Sequence, residues 1–233
     1  MLDALVLGAL AQSALILAGL IVYFVNVSDR IVGIIAGYGV GALLGAIAFD
    51  LIPESDVLPV LESSFWLLFG AAVFIVADAL VERKFGGDDS GGGSPLGIVI
   101  GSVVDGIPES IIFGIGVATL QPVSIPFLAA VWISNIPQAL APSAELVKQG
   151  WSKGRMTGMW AAVVIACGIA AGVGFLVATA LGDATGARPA AFAAGGLLAM
   201  LTNSLVPFSY QRAGALAGIG AVVGFGLAVA SSG

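Results

Sequence analysis

The sequence contains no histidine, a single cysteine and very little charge: only 9% of its 233 residues are Asp, Glu, Lys or Arg. Each shortage excludes something. Without histidine the chain lacks the usual general base, the usual zinc ligand and the usual proton shuttle. A lone Cys167 can form neither an internal disulfide nor a thiolate cluster, and in the apolar run AVVIACGIAAG it reads as a small packing residue. Eight basic residues against 14 acidic ones give a net charge of −6 with no basic cluster, which argues against nucleic-acid binding. The scarcity of charge also decides the solvent. A water-soluble domain carries about a quarter of its residues charged, and a chain of this size keeps a large surface however it folds. With 59% hydrophobic residues and a mean hydropathy of +1.09, this chain has lipid as its principal solvent.

A membrane span needs about 20 mainly apolar residues. Cutting the chain at its polar and Gly/Pro-rich breaks predicts eight: 2–25, 31–52, 64–83, 95–119, 123–148, 155–181, 188–208 and 211–231. The break between the fourth and fifth is only a few residues around Gln121-Pro122, and seven spans are the alternative there. The first span has no basic start and no small-residue cleavage pattern, so it reads as a span and not as a removed signal. Arg30, Arg83, Lys84, Lys148, Lys153, Arg155 and Arg212 fall in or beside the first, third, fifth and seventh connections; only Arg188 falls on the other side. Positive-inside bias then places those connections in the cytoplasm and both termini outside. The expectation is a single polytopic all-α membrane domain over 1–233, in a multi-pass cell membrane. Its third connection, 84–94, contains GGDDSGGGS and reads as a flexible linker, with Asp88 and Asp89 merely solvated.

Two internal matches stand out. Span two ends GALLGAIAFDLIPES and span seven ends GGLLAMLTNSLVPFS; at an offset of 154, Gly41 meets Gly195, Leu43 meets Leu197, Leu44 meets Leu198 and Pro53 meets Pro207. DGIPES (Asp105 to Ser110) in span four likewise matches SNIPQA (Ser134 to Ala139) in span five. On the orientation above, the helices of each pair run in opposite senses, and inverted repeats of this kind mark secondary transporters with sites near the midplane. The eight spans would group as three, two and three. Span two also carries Gly33, Gly37, Gly41 and Gly45, an unbroken ladder of small residues that reads as packing surface.

The polar centre lies in spans four and five. Asp105 and Glu109 are four apart and share a helix face, with Ser102 about one turn before Asp105; Asn135 and Gln138, with Ser134 adjacent, lie in the next span. An acid near the bilayer centre costs at least about 2.5–3.5 kcal/mol on insertion scales. No Lys or Arg lies mid-span to pair with these two. Carboxylate, amide and hydroxyl oxygens, with carbonyls freed by the mid-helix prolines, make a hard site that suits Mg²⁺, Ca²⁺ or Mn²⁺ better than a thiophilic metal. Asp50, Glu54, Asp56 and Glu62 make the connection after span two acidic, either a cation-gathering entrance or a merely solvated loop. Asp78 and Glu145 read as ordinary interfacial charges.

These residues give the chain a resemblance to the ZIP (Zrt/Irt-like) family of divalent metal transporters, over nearly its whole length. DLIPES closes span two, and DGIPES in span four with SNIPQAL in span five is similar to the prokaryotic branch that carries DGIPES and SNIPEAL. The resemblance implies a central, often binuclear, metal site between spans four and five. Asp105 and Glu109 would be ligands from span four, and Asn135 and Gln138 the corresponding positions of span five; Gly106 stands where relatives often have Asn. Departures are plain. Gln138 replaces a glutamate, the stretch Asn203 to Phe208 stands where relatives tend to read D-T-M-I-P-E, and span six offers no carboxylate.

The implied function is movement of zinc, iron or manganese by alternating access. No nucleotide-binding loop is present, so an ion gradient or the membrane potential would drive it. The cation is substrate, no organic cofactor is expected, and the partners are the lipid bilayer, divalent metal cations and, left open, a second copy in a homodimer. The alternative is a non-transporting homologue that senses metal or scaffolds a partner, motivated by Gln138, Asn203 and Phe208. An intramembrane aspartyl enzyme would normally draw its two acids from different helices, whereas here both sit on one, so an enzyme is not expected.

Overall fold

A computed structural model describes residues 1–85, 95–120, 124–180 and 186–231, without the side chains of residues 54, 81, 82, 85, 95 and 96. Every described element is a helix. We number them α1 (Leu2–Ile21), α2 (Asp29–Leu51, continuing through Ile52–Ser55), α3 (Val60–Phe85), α4 (Pro95–Ala118), α5 (Ile125–Lys148), α6 (Lys153–Ala180), α7 (Ala187–Ala213) and α8 (Ala215–Ser231). α1 to α7 are each long and apolar enough to cross a membrane. α8 has 17 residues, roughly 25 Å of helix against a hydrocarbon core of about 30 Å, and falls short of that length. Large apolar side chains such as Leu68, Val76, Ile165 and Val222 cover the outside of the bundle. That surface and the helix lengths are the architecture of a multi-pass membrane protein. The expected linker at 84–94 lies outside the described residues except for Lys84 and Phe85, which end α3. The Asp88–Asp89 pair and the Gln121-Pro122 break lie outside them too.

Local chemistry sets the helix starts. Ser28 caps α2 by accepting from the Ile31 N–H, and Ser124 caps α5 by accepting from the Phe127 N–H at 3.2 Å. Pro126 falls in the first turn of α5, where its missing N–H costs nothing. Between α7 and α8 the chain turns at Gly214, whose φ of 55° favours glycine.

The prolines of the 154-residue match produce the same deformation twice. Pro53 has no N–H for the carbonyl of Phe49, and Pro207 none for Asn203. In both helices the preceding turn widens to a π-helix, Ile47–Leu51 in α2 and Leu201–Leu205 in α7. Ile52 N–H then reaches the Ile47 carbonyl and Val206 N–H the Leu201 carbonyl. Burial repeats as well: the first and fifth residues of each π turn are buried, the second and third exposed, the fourth half-buried. Neither helix stops at its proline, so α2 extends past the expected end at 52, and α7 runs to Ala213 where 208 was expected.

Packing repeats with the same offset. A Cβ on Gly41 would collide with the Ala221 carbonyl of α8, and one on Gly195 with the Leu67 carbonyl of α3. Conversely, Gly70 of α3 sits against the Phe192 carbonyl of α7, and Gly224 of α8 against the Tyr38 carbonyl of α2. Each residue and its counterpart are 154 positions apart. The ladder Gly33, Gly37, Gly41 and Gly45 is the seam along which α2 meets the end of α7 and the length of α8, the backbone-close contact that small residues permit in lipid. α4 packs on α6, and α1 lies against α4, α5 and α6.

Candidate metal centre

α4 carries both acids on its inner side. Pro108 interrupts the helix between them, leaving the Val104 carbonyl without its usual donor. Glu109 is 1% exposed, and its Oε2 accepts a hydrogen bond from Gln12 Nε2 of α1 at 2.9 Å. Asp105, half-buried, accepts from Ser204 Oγ of the α7 π turn at 3.3 Å. Asp78 of α3 lies within electrostatic reach of Asp105. Neither Asp105 nor Glu109 has a basic partner among the described residues.

α5 meets the site differently. Asn135 is buried and donates from Nδ2 to the Ala11 carbonyl of α1 at 3.5 Å. Ser134 turns its hydroxyl back to the Val131 carbonyl at 2.8 Å and packs on Gly39 of α2. Gln138 and Ser102 are half-buried and make no hydrogen bond among the described residues. The two polar helices are therefore linked through consecutive residues of α1: Ala11 receives Asn135, and Gln12 serves Glu109. The regular helical bonding of α1 is broken just there. Ser13 N–H and Ser13 Oγ both reach back to the Leu10 carbonyl, at 3.1 and 2.7 Å, and Trp132 of α5 donates to Ser13 Oγ at 3.2 Å.

Sequence reasoning missed Gln12, which is fully buried. Its signal was available: an amide in the middle of an otherwise apolar span, in ALAQSALIL. Ser204 was noted only as part of a motif short of acids, yet it is the side chain that reaches Asp105. Cys167 is buried against Gly106, as a packing residue should be. Glu62 is not an unattended acid either, because Arg188 at the start of α7 pairs with it at 2.7 Å. Asp50, inside the α2 π turn, accepts from Ser124 Oγ at 3.0 Å.

Two cavities carry acidic side chains in their walls. One of about 470 Å³ is lined by Asp29, Glu145, Lys148, Phe208 and Arg212 and reaches Ile98 of α4. The other, about 260 Å³, is lined by Tyr38, Phe49, Asp50 and the start of α5. Asp105 and Glu109 line neither. The described residues hold no group of three or more His, Cys, Asp or Glu close enough to bind a metal, so any cation here must also use amide, hydroxyl or carbonyl oxygens. In comparisons with known proteins, no family model matches the chain and no curated protein matches it.

Proposed function

We propose that the chain is a divalent metal cation transporter of the zinc, iron or manganese class, built on the plan its ZIP-like motifs imply. In this reading α8 completes eight spans, α1–α3 and α6–α8 are inverted repeats around α4 and α5, and both termini lie outside a cell membrane. Metal passes by alternating access, driven by an ion gradient or the membrane potential. One observation carries the proposal: Glu109 is a carboxylate at 1% exposure in a span-length helix, one turn from Asp105, with no basic partner among the described residues. An acid in that place needs a cation or a proton to offset the cost of leaving water. The recurrence of π turns and glycine contacts at one offset supports the repeat.

A second reading, the metal sensor or scaffold, draws on Arg212, whose guanidinium lies 3.7 Å over the Phe208 ring in the wall of the larger cavity. A fixed cation there opposes the passage of a mobile one. Uptake of Mn²⁺ and Zn²⁺ into proteoliposomes separates the two. Native protein should transport, and Asp105→Ala and Glu109→Ala should each lose at least tenfold; undiminished uptake in both variants sinks the transport assignment. Transport gained only by the Gln138→Glu, Phe208→Glu double variant would favour the sensor or scaffold.

A further inference from the structure

We propose that Gln12 is a cation ligand: its amide oxygen, with Glu109, forms a hard-cation site carried partly by the first helix. The inference rests on the transport reading and names a ligand that the paired motifs of α4 and α5 do not contain.

The bonding of two groups carries it. Gln12 is 0% exposed and Glu109 1%, so neither can use bulk water. Their one mutual hydrogen bond uses Nε2 of the amide and Oε2 of the carboxylate, at 2.9 Å. The remaining oxygen of each, Gln12 Oε1 and Glu109 Oε1, has no hydrogen-bond partner. Each is one carbon away from an atom of the same hydrogen bond, so both orphans lie at the contact between α1 and α4. The amide's orientation follows from chemistry, since turning its oxygen toward Glu109 would set acceptor against acceptor. Buried polar atoms are almost always satisfied, and a pair of orphaned acceptors calls for a donor or a cation. Amide and carboxylate oxygens together suit a hard divalent cation.

The seat of the amide is built by two other helices. A Cβ on Gly106 of α4 would lie 3.4 Å from both Cδ and Nε2 of Gln12 and 2.6 Å from Sγ of Cys167 on α6. A methyl at 106 would collide with the Cys167 sulfur and come into contact with the Gln12 amide, so glycine there lets the amide lie close to the α4 backbone. α1 thereby delivers an uncharged ligand to the acid of α4, next to the turn at Ser13 where its regular bonding is broken.

Mn²⁺ binding to the purified, detergent-solubilised protein, followed by its electron paramagnetic resonance signal, tests the assignment. Gln12→Leu should weaken Mn²⁺ binding at least tenfold, while Thr179→Val, on the exposed side of α6, should change it less than twofold. Gln12→Glu should restore binding to the native level or better. Because two buried acids need a cation between them, Mn²⁺ should raise the Tm of Gln12→Glu by more than it raises the native Tm. That last readout also guards against a Gln12→Leu protein that merely misfolds. If Gln12→Leu binds Mn²⁺ within twofold of native, or Gln12→Glu gains nothing from Mn²⁺, the Gln12 assignment falls alone. If native protein binds no Mn²⁺, the assignment falls together with the reading beneath it.

Discussion

The π turns of α2 and α7 are the same piece of backbone with different chemistry. Each spans five residues, precedes a proline by one residue, and buries its first and fifth positions. At the fourth position α2 has Asp50 and α7 has Ser204, 154 residues apart. Asp50 accepts from the capping hydroxyl of α5, at the helix start, whereas Ser204 donates to Asp105 within α4. Glycine and proline thus fix where the helices deform and how closely they approach. The side chain at one half-buried position then decides whether that deformation adds a charge or serves one.

The largest effect should come from breaking what the two halves share. Gly41→Ala and Gly195→Ala each drive a methyl into a backbone carbonyl that cannot rotate away. Each should cost above about 3 kcal/mol of unfolding free energy in mixed detergent micelles, at the upper end for overpacking. The two losses should agree with one another, while Gly226→Ala, with nothing near its Cβ, should stay within about 0.5 kcal/mol. A harmless substitution at only one member of the pair would show that the repeat has lost its packing equivalence.

Much of this was legible in the sequence. Apolar run length located the helices, because lipid demands that length of each. The glycine ladder announced a close seam, and the GxLL and proline matches announced that α2 and α7 share a local pattern. Partners were not legible. A ladder of small residues says that something comes near, and nothing in α2 names α8 as that neighbour. The same limit hid the centre. Asp105 and Glu109 could be read from α4 alone, but Gln12 gains its role only because α1 crosses there, and Asn135 finds a backbone carbonyl that no side-chain pattern encodes. Pro53 looked like the end of a span because a proline does break a regular helix; the π turn that carries α2 past it is a three-dimensional remedy.

A sharper test gives α7 the chemistry of α2. Ser204→Asp would set a second carboxylate beside Asp105, where the hydroxyl now sits at 3.3 Å. In metal-free micelles it should destabilise by about 2.5 kcal/mol, the lower bound for an acid in mid-membrane. Added Mn²⁺ should recover most of that loss, since a cation between two carboxylates binds the folded state alone. Loss without recovery would mean that the α7 turn faces no cation.

The smallest effect should come from removing the charge of the α2 turn. Ser124 Oγ has two duties, donating to Asp50 and accepting from the Phe127 N–H at the start of α5. Asp50→Asn keeps an oxygen that can accept from Ser124, so its cost should stay under about 0.5 kcal/mol. Ser124→Ala removes the cap together with the donor and should cost about 1 kcal/mol. If Asp50 served only to hold that hydroxyl, Mn²⁺ uptake by Asp50→Asn should equal the native rate. A fall in uptake at unchanged stability would instead give the carboxylate a part in admitting the cation through the smaller cavity, whose wall it forms. The two π turns would then divide the work by charge, the α2 acid gathering cations at one end and the α7 hydroxyl attending the acid that receives them.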